Sequence, residues 1–159
     1  MSDWYLPLKL LHVLSSTVLF GTGIGTAFSM WRAHLGGDPR VIAATSRSVV
    51  LADWLFTTPA VIVQPLTGLA MISIVGHPPT APWLVASYLL YALVGACWVP
   101  VVGLQLRIRR LATDAVERGA PLPPAYHRSF ALWFALGWPA FAGVVAIFAL
   151  MVWKPALWA

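Results

Sequence analysis

The chain has 159 residues, 60% of them hydrophobic and only 9% charged, with a net charge of +5. A water-soluble domain carries about 25% charged residues, so this composition excludes one and points to a chain built into a bilayer. The basic excess lies in short stretches between apolar runs, which is a topology signal and excludes a nucleic-acid surface, and the lone Cys97 excludes an intrachain disulfide or a Cys-based zinc site.

Four apolar runs predict an all-α, integral-membrane four-helix bundle forming one domain over residues 1–159. The expected spans are roughly residues 4–31, 49–75, 82–106 and 129–153, each longer than the ~20 residues that cross ~30 Å of hydrocarbon. The first run follows Asp3 and is too long for the core of a signal peptide, so it is expected to stay as a transmembrane helix. Trp4, Trp31, Trp83 and Trp153 near the span ends fit interfacial belts.

The first span reads WYLPLKLLHVLSSTVLFGTGIGTAFSMW, and His12 stands about two turns inside it, some ~10 Å below the surface at 1.5 Å per residue. Lys9 and Ser16 share its helix face. Lys9 is shallow enough to snorkel to the headgroups, whereas a histidine at the depth of His12 is a ligand candidate, because neutral imidazole is the cheapest ionisable group to bury and a common metal ligand. Thr17, Gly21, Gly25 and Ser29 form a small-residue ridge whose expected role is close helix packing.

A loop with Arg32, Arg40 and Arg47 is expected before the second span. That span opens near Asp53, which is expected to pair with Arg47 or an arginine of the third loop and so to anchor the topology. Pro59 and Pro65 free backbone carbonyls around Gln64 and Thr67, as in a broken helix lining a cavity or, equally, a tolerated kink. The short loop GHPPTAP, containing His77, has no lysine or arginine.

In the third span Tyr88, Tyr91, Gly95, Trp98, Val102 and Gln105 trace one helix face. The following stretch, RIRRLATDAVERGAPLPP, starts as a helix and stops at its Gly/Pro cluster. Phe130, Phe134, Trp138, Phe141 and Phe148 line one side of the fourth span, where packing explains them. With the basic stretches cytoplasmic, both termini and His77 face the outer, periplasmic side of a bacterial inner membrane. The outer half of the bundle is then expected to gather Lys9, His12, Ser16, Gln64, Thr67, Tyr88 and Tyr91 into one pocket.

These residues carry a family resemblance. The whole chain, and above all its opening LKLLHVLSSTVLFGTG, resembles a family of uncharacterised predicted integral membrane proteins with four spans. More distantly it is similar to HemJ-type protoporphyrinogen oxidases and CopD-type membrane proteins. The shared features are a lysine with a histidine three residues on, a small-residue ridge, the segment TTPAVIVQPLTG and the closing Lys154–Pro155. The resemblance implies b-type heme with His12 as its ligand. Ser87 stands where those oxidases have a lysine, and Gly137–Trp138–Pro139 where they have Asn-Glu-Pro, so the oxidase activity itself is not implied.

The expected function is therefore a small b-type heme protein in electron transfer or redox chemistry. His12 is its metal ligand, with Lys9, Ser16, Gln64, Tyr88, Tyr91 and His77 as cofactor-binding candidates. Quinone or another porphyrin are alternative occupants. Beyond the lipid bilayer, the expected partners are a redox protein or another membrane subunit and a second copy of the chain. The competing reading is a heme-free accessory subunit or transporter component that uses the glycine ridge and the broken second helix.

Overall fold

The computed structural model describes residues 3–158. Among them the architecture is helical throughout: α1 (Tyr5–Gly36), α2 (Pro39–Ala52), a π-helical turn (Asp53–Thr57), α3 (Thr58–Val75), α4 (Pro82–Glu117) and α5 (Pro124–Trp153). The α2–π–α3 run is one continuous rod, so there are four helices long and apolar enough to cross a membrane.

The helices outrun the spans expected from hydrophobicity. The first basic loop shrinks to Gly37 and Asp38, and Arg32, Arg40 and Arg47 all lie on helix. The physical reason is local. Gly37 takes a left-handed conformation (φ 70°) and returns its N–H to the His34 carbonyl, which closes α1. Asp38 then accepts the Arg40 N–H at 2.8 Å, and Pro39 occupies the first turn, so α2 starts at once. Falling hydrophobicity ended the expected span, but nothing in WRAHLG breaks a helix. At 1.5 Å per residue α1 is about 48 Å long against ~30 Å of hydrocarbon, so it projects well beyond the apolar slab.

The best-packed region sits at the basic end. Met30 and Ala33 of α1, Ile42, Ala43 and Val49 of α2, Ile108 and Ala112 of α4, and Tyr126, Phe130 and Trp133 of α5 form one buried cluster. His34 lies flat on Phe130, with ring centroids 3.7 Å apart, and its Nδ1 is 3.1 Å from the Tyr126 hydroxyl.

Toward the chain termini the bundle divides into two pairs, α1 with α3 and α4 with α5. The pairs meet mainly through side-chain tips. Phe20 of α1 packs on Phe141 and Phe148 of α5, while the Tyr91 hydroxyl of α4 donates to the Val61 carbonyl of α3. The backbones of α3 and α4 do not pack against each other. Part of the aromatic side of α5 is thus packing against α1, as expected from its spacing.

The glycine ridge does not pack as its spacing suggests. Among the described residues a Cβ added at Gly21 or Gly25 would meet nothing within 4 Å, so these ridge glycines pack against none of the helices described. Close approach occurs instead at Gly143 of α5, where an added Cβ would lie 2.6 Å from Val94 Cγ2. A valine side chain is stiff at χ1 and has little room to yield. Gly143→Ala is therefore expected to destabilise the α4–α5 pair by about 1–3 kcal/mol, the usual cost of overpacking, while Gly21→Ala and Gly25→Ala leave the isolated chain unchanged. Thermal unfolding in detergent, followed by circular dichroism, checks both.

Candidate functional site

A polar side chain in the apolar part of a helix must find its partner within the protein. Many of the serines and threonines do so locally by donating to a carbonyl one turn back: Ser16 and Thr17 to Val13, Thr26 to Thr22, and Ser29 to Gly25. His12 cannot, and its bonds cross to α3.

The His12 Nδ1 lies 2.8 Å from Thr67 Oγ1. The Thr67 hydroxyl has a single proton, which it gives to the Val63 carbonyl at 2.7 Å, with the Gln64 carbonyl at 3.1 Å as a second acceptor. Its oxygen therefore accepts from the imidazole, and the network assigns the proton to Nδ1. In that tautomer Nε2 is the unprotonated nitrogen, and among the described residues it makes no hydrogen bond.

The backbone beneath the ring is held from the same side. Gln64 Nε2 donates to the His12 carbonyl at 2.7 Å and to Ser15 Oγ at 2.9 Å, and Ser15 donates to that carbonyl at 3.1 Å. Gly68, one residue beyond Thr67, lets the ring lie close to α3: a Cβ there would stand 3.4 Å from His12 Cε1. Gln64, Thr67 and Gly68 share one face of α3 because they are three, four and one residues apart. Pro65 lies inside this helix, and its missing N–H leaves the Val61 carbonyl, four residues back, to accept the Tyr91 hydroxyl.

The expected pocket forms only in part. His12, Gln64 and Thr67 come together. Ser16 turns to the Val13 carbonyl, and the buried Ser15 takes the place expected for it. Both serines lie within one turn of His12, so helical spacing alone did not choose between them. Lys9 is exposed and stands 5.9 Å from the Tyr5 ring centroid, as a snorkelling lysine does. Tyr91 ties α4 to α3 through the Val61 carbonyl, whereas Tyr88 is exposed. His77 is exposed in the loop, with its ring edge-on to Trp83, over which Lys154 Nζ also stands at 5.5 Å.

Asp53 departs from its expected role. Among the described residues it has no ion pair with Arg47 or with Arg107, Arg109, Arg110, Arg118 or Arg128; its Oδ1 accepts from Thr57 at 2.9 Å and its Oδ2 has no partner. Arg47 is exposed and turned away because it and Asp53 stand six residues apart, well off a common face.

A family model described as a predicted integral membrane protein, DUF2269, matches residues 6–155. The chain belongs to this family. With its four membrane-length helices, this DUF2269 chain is a multi-pass integral membrane protein. No curated protein and no solved structure matches it, so the resemblance to HemJ-type and CopD-type proteins gains no support from relatives.

The DUF2269 site yields a direct expectation. Thr67→Val keeps the shape but removes the acceptor for Nδ1–H. The loss should cost about 1–3 kcal/mol, the penalty for a donor left unpaired in an apolar setting. It should also convert the single imidazole tautomer into a mixture, read from the ¹⁵N shifts of histidine-labelled protein. An unchanged tautomer in Thr67→Val would show that Thr67 does not set it.

Proposed function

We propose that this protein is a small b-type heme-binding membrane protein working in electron transfer or redox chemistry, with His12 as the axial ligand. The observation that carries the reading is the setting of one ring: Nδ1 stands 2.8 Å from Thr67 Oγ1, which back-bonds to the Val63 carbonyl, and among the described residues no hydrogen bond engages Nε2. Histidine ligands are normally oriented in this way, by a hydrogen bond at the nitrogen that does not bind the metal.

The donor set favours a cofactor that brings its own ligands. Among the described residues no three His, Cys, Asp or Glu side chains gather as a bare metal ion would need. A porphyrin supplies four nitrogens and asks the protein for an axial one, which a lone histidine can give. Quinone and other porphyrins remain the alternative occupants. When bound, the heme would supply a one-electron iron couple.

The residues of the chain would do the rest. His12 would hold the group through Nε2. Thr67, Gln64 and Ser15 would fix the ring and the turn that carries it, and Gly68 would leave the imidazole room to lie against α3. Lys9, one turn nearer the helix start, offers a positive charge to a propionate. By the positive-inside rule the arginine-rich end faces the cytoplasm of a bacterial inner membrane, which puts His12 toward the periplasmic side.

A second reading is a heme-free accessory subunit or transporter component. The open Gly21–Gly25 ridge favours the first and the π-helical turn with Pro65 the second. Absorption spectra separate the two. After expression with ample heme, the purified protein is expected to show a Soret band, shifted on dithionite reduction and lost in His12→Ala. Carbon monoxide should shift the reduced spectrum if the sixth position is open. A colourless wild-type protein would sink the heme reading.

A further inference from the structure

A second polar feature lies in the rod formed by α2 and α3, far along the chain from His12. Pro59 has no N–H to return to the preceding turn, and the helix opens just before it into the π-helical turn Asp53–Thr57. Asp53 begins that turn. Its side chain is more than nine-tenths buried, at 7% exposure. Thr57 satisfies Oδ1, and among the described residues Oδ2 has no hydrogen-bond partner.

Asp53 lines a cleft of about 70 Å³ between this rod and α4. Val50, Trp54 and Thr58 form one wall, and Trp98, Val102, Gln105 and Leu106 form the other. The last four include the inner part of the α4 stripe that the sequence traced. The walls are mostly apolar, with Gln105 as the buried amide that α4 contributes. Trp54 and Leu106 are exposed at its margin, so the cleft is not sealed, and its volume is enough for water.

No charge in this setting answers that of a carboxylate. Neither wall carries an ionisable side chain apart from Asp53 itself. The basic residues nearest in sequence on the surrounding helices, Arg32 of α1, Arg47 of α2 and Arg107 of α4, are all exposed, and none pairs with Asp53 among the described residues. α1 also packs against the turn, and between His12 and Arg32 it carries no ionisable side chain. An isolated carboxylate so placed is expensive in any apolar medium, and the usual escape is to bind a proton.

We infer that Asp53 is a proton-binding site, its carboxyl held as the neutral acid with the proton on Oδ2 and offered to the cleft, where the Gln105 amide oxygen or water accepts it. The acid form satisfies the geometry on both oxygens: Oδ1 accepts from Thr57 and Oδ2 becomes a donor. The ligand is a single proton, exchanged through the unsealed side of the cleft. The inference is independent of any group held by His12.

The test uses the full chain in lipid nanodiscs, with aspartate carboxyls labelled with ¹³C, and infrared or NMR detection of the acid form. At neutral pH an aspartic acid signal is expected, and it should vanish in Asp53→Asn. Gln105→Leu should shift the carbonyl frequency of the acid without removing it, which a merely structural role for Gln105 would not do. The labelled wild-type protein answers the question even if Asp53→Asn does not fold, because the acid carbonyl signal is read directly from it. The absence of any carboxylic-acid signal at neutral pH overturns the inference. So does an acid signal that sodium, but not a bulky organic cation, converts to carboxylate, since the site would then belong to a metal cation.

Discussion

The structure depends on where water is available to drive packing. The hydrophobic effect operates where helices project into an aqueous or interfacial layer, whereas lipid tails are as apolar as the side chains they would replace. The buried cluster of Met30, Ile42, Ile108, Ala112, Tyr126 and Phe130 lies among the arginine-bearing helix ends, around and beyond the limits of the apolar spans. The rest of the bundle has no such drive. It is joined by a few specific devices: the Gly143–Val94 approach, the Phe20 stack on α5, the Tyr91 hydroxyl on α3, and the His12–Thr67 bond.

This division explains why the polar groups of the span matter more than their number suggests. Where packing is loose, a hydrogen bond between helices fixes rotation as well as distance. Gln64 and Thr67 grip α1 at His12 by ring and backbone, so the α1–α3 pair has one orientation. The same bonds engage Nδ1 of the imidazole at Thr67. Structural and chemical roles are therefore carried by the same atoms, and a variant such as Thr67→Val has to be read by tautomer as well as by stability.

The sequence made the main outline legible. Apolar run lengths are a strong signal, and they announced four spans and a membrane protein. His12 with Gln64 and Thr67 was legible because depth and helical spacing restrict which residues can meet. Other features were hidden for physical reasons. Hydrophobicity marks the end of a lipid-facing segment but not of a helix, so the continuation of α1 to Gly36 and the two-residue connector went unseen. A small-residue ridge shows that close approach is possible without saying that a partner comes from the same chain, and here Gly21 and Gly25 face nothing. Asp53 seemed to need an arginine because charge invites a partner, yet helix geometry turned every nearby arginine outward. Its Thr57 contact lies four residues on, the commonest of helical spacings, and is easily passed over beside a charge.

The π-helical turn has an effect beyond Asp53. It inserts one extra residue into the α2–α3 rod, and each residue of an α-helix advances the azimuth by about 100°. The turn thus sets the phase between the part of the rod that packs in the arginine-rich end and the part that meets α1. Were the rod regular from Pro39 onward, the Gln64–Thr67–Gly68 face would be rotated by that angle and would present Leu66 or Val63 to the imidazole. Opening or closing one turn of helix near Asp53 would act as a rotary adjustment on the partners of His12, some ten residues away.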